Sequence, residues 1–124
     1  MAGSYLTDEE RAKIGNAEGA ELTLVLYTHA VRIAALGKDA FASGDTEEGK
    51  GCCDHLIKVI DLLLASLDMN YSTAKDFERM YNYMKGRLTD AGNAESKTAG
   101  DILAETTDHF TSIKENWEKV MKAA

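Results

Sequence analysis

The sequence predicts an all-α fold, an antiparallel four-helix bundle preceded by a short N-terminal helix, and three observations carry that prediction. Proline is absent from all 124 residues, so no ring interrupts a helical backbone. Apolar residues recur at spacings of three and four along four long stretches, and none alternates with period two as a half-buried strand would. Short polar segments separate those stretches, which suits neighbours that run antiparallel. The length fits one domain with one core. The expected division is an N-terminal segment over 1–17, a possible lid, and a bundle over 18–124.

The stretch Glu21 to Phe41 organises the rest. Leu22, Leu26, Ile33, Leu36 and Ala40 share one helical face, with Val25 and His29 beside them. A second apolar stripe, Leu24, Tyr27, Val31 and Ala35, lies roughly opposite at about 100° per residue. Left in water, each large side chain would forfeit about 1.5 to 3 kcal/mol of burial. The second stripe therefore asks for a partner, either another segment of this chain or another polypeptide.

In chain order, Met1 to Ser4 is read as unstructured. Thr7 and Glu10 have capping-box spacing, with Asp8 and Glu9 in the first turn, so a helix is expected from Asp8 to about Lys13. It is too short to stand alone. Tyr5, Leu6 and Ile14 give it an apolar surface that could lie on Leu24, Tyr27 and Val31 as a removable lid. Gly15 and Asn16 end it.

The long helix is expected to stop near Gly44. Asp45 then offers an N-cap, but Gly49 and Gly51 weaken the first turns by about 1 kcal/mol each relative to alanine, so the next helix should firm up only after them. From Cys53 to Leu67 its apolar positions sweep about 160°, with Val59 at one edge and Leu62 beyond it. A third long helix from about Thr73 to Ala91 presents Phe77, Met80, Tyr81, Met84 and Leu88. Gly92 and Asn93 close it. Thr98 and Asp101 restart the chain, and Leu103, Phe110, Ile113, Trp117, Val120 and Met121 form the last stripe.

Composition narrows the function. A formal charge of −7 without clustered Lys and Arg argues against nucleic acid. No apolar run approaches the roughly 20 residues of a membrane span, and the N-terminus lacks a secretory pattern, so a cytosolic protein without membrane insertion is expected. The adjacent Cys52 and Cys53 read as small buried residues rather than a metal site or a framework of bridges. No Glu-x-x-His pair precedes His29, His55 or His109, and there is no nucleophile elbow or phosphate-cradling glycine loop. Neither a metal, a cofactor nor an enzymatic activity is predicted. Two alternatives stand beside a binding module. His55-Leu56-Ile57-Lys58 resembles the His-x-x-Lys of histidine phosphotransfer domains, with Val59 where that family normally has glycine. A self-associating bundle would instead use the spare stripe as a dimer interface.

A wider resemblance spans Glu18 to Trp117. Glu21-Leu22 followed by Leu26-Tyr27, then Ile60 to Leu67-Asp68, then Met80-Tyr81-Asn82-Tyr83-Met84 with Arg87-Leu88 and Ala91, and finally Trp117, resemble the FliS family of flagellar export chaperones. The resemblance implies a helical bundle that binds the disordered C-terminal region of new flagellin, prevents its early polymerisation and presents it to the flagellar type III export apparatus. It also implies an N-terminal segment, here Tyr5 and Leu6, that occupies part of the binding surface without client. This chain departs from the family pattern at Gly19-Ala20 and at Cys52-Cys53. The expected client-binding residues are Leu24, Tyr27, Val31 and Ala35, extended by Val59 and Leu62. Val31→Asp is expected to weaken binding while leaving thermal unfolding nearly unchanged.

Overall fold

A computed structural model describes residues 5–123, and the expectation for Met1 to Ser4 lies outside them. Five helices follow one another: α1 (Asp8–Asn16), α2 (Gly19–Ala42), α3 (Thr46–Ala65), α4 (Ala74–Asn93) and α5 (Ser96–Ala123). Helix α2 packs on α3 and α5, and α4 closes the ring by packing on the same two. The start of α2, the end of α3, the start of α4 and the end of α5 meet at one end, so the four run alternately up and down. Among the described residues there is no strand, and α1 lies outside the ring against α2.

Local chemistry explains most boundaries. The capping box forms as expected, with the Glu10 amide donating to Thr7 Oγ1 at 3.0 Å and the Thr7 amide to Glu10 Oε1 at 2.9 Å. Helix α1 then runs three residues past Lys13. After α2, Gly44 takes φ 86°, open to glycine without strain, and the Asp45 amide turns back to the Ala40 carbonyl at 2.8 Å. The Asp45 carboxylate caps α3 by accepting from the Glu48 amide at 3.2 Å.

Helix α3 therefore starts at Thr46, earlier than its glycines suggest. Those glycines are contact points. A Cβ at Gly49 would stand 2.7 Å from the Phe41 ring, and one at Gly51 would overlap the Tyr5 hydroxyl. Helix propensity lost there is exchanged for close approach of neighbouring aromatic rings. Helix α5 likewise begins at Ser96, two residues before the expected restart at Thr98.

The buried arc of α2 differs from the expected one. Ala30, Ala34, Gly37 and Phe41 lie at its centre, flanked by Leu26, His29 and Ile33 on one side and Tyr27 on the other. At 100° per residue the arc is turned by about 60° from the Leu22-Ile33-Ala40 line. Small residues at the centre let α3 and α5 approach closely: a Cβ at Gly37 would meet Leu103 at 2.6 Å and Cys52 at 2.9 Å. Consequently the two apolar stripes are the two flanks of one broad buried face. Leu36, expected in the core, falls outside this arc and is 41% exposed.

Candidate functional site

Two features stand out on this frame: the seat of the N-terminal segment and an apolar cleft at one end of the bundle. Arg32 on α2 anchors the segment, donating from Nε and its terminal nitrogen to the two Glu10 carboxylate oxygens at 3.1 and 2.6 Å, and also to the Tyr5 carbonyl. His29 donates from Nδ1 to Glu10 Oε2 at 2.8 Å. Burial would raise the Glu10 carboxyl, but the hydrogen bonds from Arg32, the Thr7 amide and His29 outweigh it and hold it at about 2. Behind this clamp His29 Nε2 faces His55 Nε2 at 2.7 Å. The Tyr5 ring lies over His55 with centroids 4.9 Å apart, its hydroxyl buried above Gly51.

The segment thus sits over the α2–α3 seam. The segment is held by His29 and Arg32 rather than by Tyr27 and Val31, which lie around α2 from them; of the three expected residues only Leu24 faces it, across a hollow shared with Lys13 and Asn16. Ile14, at the far end of α1, lines a cavity of about 740 Å³ with Leu22, Leu26, Leu62, Tyr71 and Trp117. A second cavity of about 490 Å³ adjoins it, lined by Tyr27, Leu67, Phe77, Tyr81 and Val120 among others. Both open at the end where α2 and α4 begin. Leu62 is 58% exposed and Tyr71 69%, with Met69 and Val120 also exposed. These exposed apolar side chains cluster at one end of the bundle.

The expected client-binding residues do not form one groove. Tyr27 is 1% exposed, and its hydroxyl meets Tyr81 at 2.6 Å rather than waiting for a client backbone. Val59 is 3% exposed, at the edge of the arc that α3 buries. Both are corrected to core positions, since their angles point them between helices. Leu24 lines a separate hollow of about 430 Å³ with Val25, Lys13 and Met121. Val31 and Ala35 are half-buried, with Val31 packed against the core. Leu62 stays exposed but on the Ile14 side, away from Leu24. Met69 and Tyr71 escaped the periodicity because they sit in a turn, where two large apolar residues were themselves the signal. Val120 fits the helical spacing of α5, yet nothing covers it.

The sequence matches the family described as Flagellar protein FliS over residues 1–124. This chain belongs to the FliS family. It is also 28% identical over 120 residues to the flagellar secretion chaperone FliS of Bacillus subtilis strain 168, covering 94% of this chain and 86% of that one. Membership makes it a flagellar export chaperone. The FliS landmarks mostly build the frame. Tyr81, Met84 and Leu88 are buried, and Trp117 stands edge-on to Tyr27 while donating Nε1–H to the Ala20 carbonyl at 2.9 Å. Tyr83 and Arg87 converge on the Glu105 carboxylate, each at 3.1 Å, tying α4 to α5.

The two thiols of this FliS chain are enclosed. Burial, then Glu48, pushes the Cys52 thiol up to about 12, and burial with Asp54 pushes Cys53 to about 11. His55, the residue that the alternative phosphotransfer reading would use, has its Nε2 engaged by His29 and its ring covered by Tyr5. Among the described residues no helix is long and apolar enough to cross a membrane, and no cluster of three or more His, Cys, Asp or Glu could hold a metal.

Proposed function

We propose that this FliS chain is a cytosolic chaperone for the disordered C-terminal region of flagellin, holding it unpolymerised until the flagellar export apparatus receives it. The observation that carries this reading is the gathering of exposed Leu62, Tyr71 and Val120 around two adjoining apolar cavities at one end of the bundle. A disordered client can lay apolar side chains into such cavities and fold on the surface, offsetting its ordering entropy by burial. The hollow beside Leu24, with half-buried Val31 and Ala35, extends the track along α2. Ile14 lines the larger cavity from α1, so a client entering there competes with the N-terminal segment, and Tyr5, Leu6 and Ile14 act as a displaceable cover. Titration calorimetry with a peptide covering the C-terminal region of flagellin from the same organism tests the reading. One-to-one binding with a large negative heat-capacity change is the expected result. No binding by folded, monomeric protein would move the function to another client.

A further inference from the structure

The contact between His29 and His55 has chemistry that client binding does not use. His29 is buried between α1 and α3, its Nδ1 on the Glu10 carboxylate and its Nε2 2.7 Å from His55 Nε2. Because Nδ1 must donate to the carboxylate, neutral His29 has only an acceptor at Nε2, and His55 donates from its Nε2. One added proton is tolerated, since His29 can then donate from Nδ1 to Glu10 and from Nε2 to a His55 that carries its own proton on Nδ1. A second is not, because two N–H groups would point at each other across a gap that holds one proton. We propose that His29 and His55, clamped by Glu10, form a proton-operated latch that releases the N-terminal segment when the pair takes up a second proton.

Apart from Glu10, the charged and titratable groups around the pair agree on the direction. From the N-terminal segment come Glu10, which favours a charged His55, and the Tyr5 ring, which covers it. Helix α2 contributes His29 and Arg32, and α3 contributes Lys58, all positive or able to become so. Burial, then His29 and Lys58, pushes the His55 imidazole down to about 4. Undocking Tyr5 returns water to the ring and lets it move back toward its ordinary 6.5. The docked form is therefore fully favoured above about 6.5 and loses ground as pH falls toward 4. Glu10 acts in the same sense lower down, because its docked value of about 2 lies below the ordinary 4.5. For one proton taken up, the ratio of docked to free segment falls by up to about tenfold per pH unit.

The latch goes beyond the client reading, and its test needs no client. Amide exchange and nitrogen NMR of the full chain would follow Thr7 to Asn16 from about pH 7.5 to about pH 4.5, with far-UV circular dichroism checking the bundle. The expected result is protection of these amides at the upper pH, lost with a midpoint between about 4 and 6.5 while the bundle stays folded. H55Q, whose amide can donate to His29 but cannot take a proton, should stay docked to the lower limit. E10Q should dock more weakly at every pH. In the wild type, the His55 imidazole should titrate together with release. Equal protection of the segment across the range, release of H55Q at the wild-type midpoint, or a His55 that titrates near 6.5 with the segment still docked would each overturn the latch.

Discussion

The hydroxyls of Tyr27 and Tyr81 meet 2.6 Å apart inside the bundle, joining α2 to α4 across the diagonal of the ring. Burial pushes both phenols up, so they stay neutral and each needs the other as its partner. Removing one oxygen strands the other in an apolar interior. Tyr27→Phe or Tyr81→Phe should each cost about 1 to 3 kcal/mol, and the double variant less than their sum. Urea unfolding of the four proteins checks this. Additive losses would show that the hydroxyls are satisfied independently.

Two glycine substitutions should have opposite signs. A Cβ at Gly37 would sit 2.6 Å from Leu103 and 2.9 Å from Cys52, whereas at Gly86 nothing lies within 4 Å. Gly37→Ala should destabilise by about 1 to 3 kcal/mol through overpacking, despite its better helix propensity. Gly86→Ala should instead stabilise by up to about 1 kcal/mol. Thermal unfolding of both variants decides it, and a stabilised Gly37→Ala would mean that α2 and α5 have slack.

These positions also show what the sequence made legible. Helix order, the caps at Thr7 and Asp45 and the exposure of Leu62 follow from spacing and side-chain chemistry, which act over a few residues. The buried arc of α2 did not follow, because apolar counting weights Leu and Ile above Ala30, Ala34 and Gly37. Close helix approach needs those small residues at the centre. Tyr27 was misplaced for the same reason: one flank of a wide arc looks like a separate stripe until a second neighbour is known. The seat of α1 depends on Glu10 meeting Arg32 and His29, partners 22 and 19 residues away, and no local period records such a meeting.

The thiols offer a probe of bundle opening. Cys52 and Cys53 are both buried, with values pushed up to about 12 and 11, so the folded chain presents almost no thiolate at neutral pH. Labelling by a disulfide reagent should be slower than for an unfolded cysteine by at least about tenfold, and should rise sharply in denaturant. Rapid labelling of both thiols in the native protein would show that α3 detaches from the ring on its own.

Leu62 and Val31 separate surface from core within the proposed client track. Leu62 is 58% exposed and lines the cavity beside Ile14, while Val31 is half-buried and packs against the core. Leu62→Asp should therefore leave stability within about 0.5 kcal/mol of the parent while weakening flagellin-peptide binding by tenfold or more, about 1.4 kcal/mol. Val31→Asp puts a carboxylate partly inside the packed core, and against the expectation from its stripe alone it should lower stability by about 1 to 3 kcal/mol. Paired unfolding and calorimetry on the two variants give four numbers. If Leu62→Asp binds peptide as tightly as the parent, the client does not use the cavity at the α3 end, and the hollow beside Leu24 becomes the place to look.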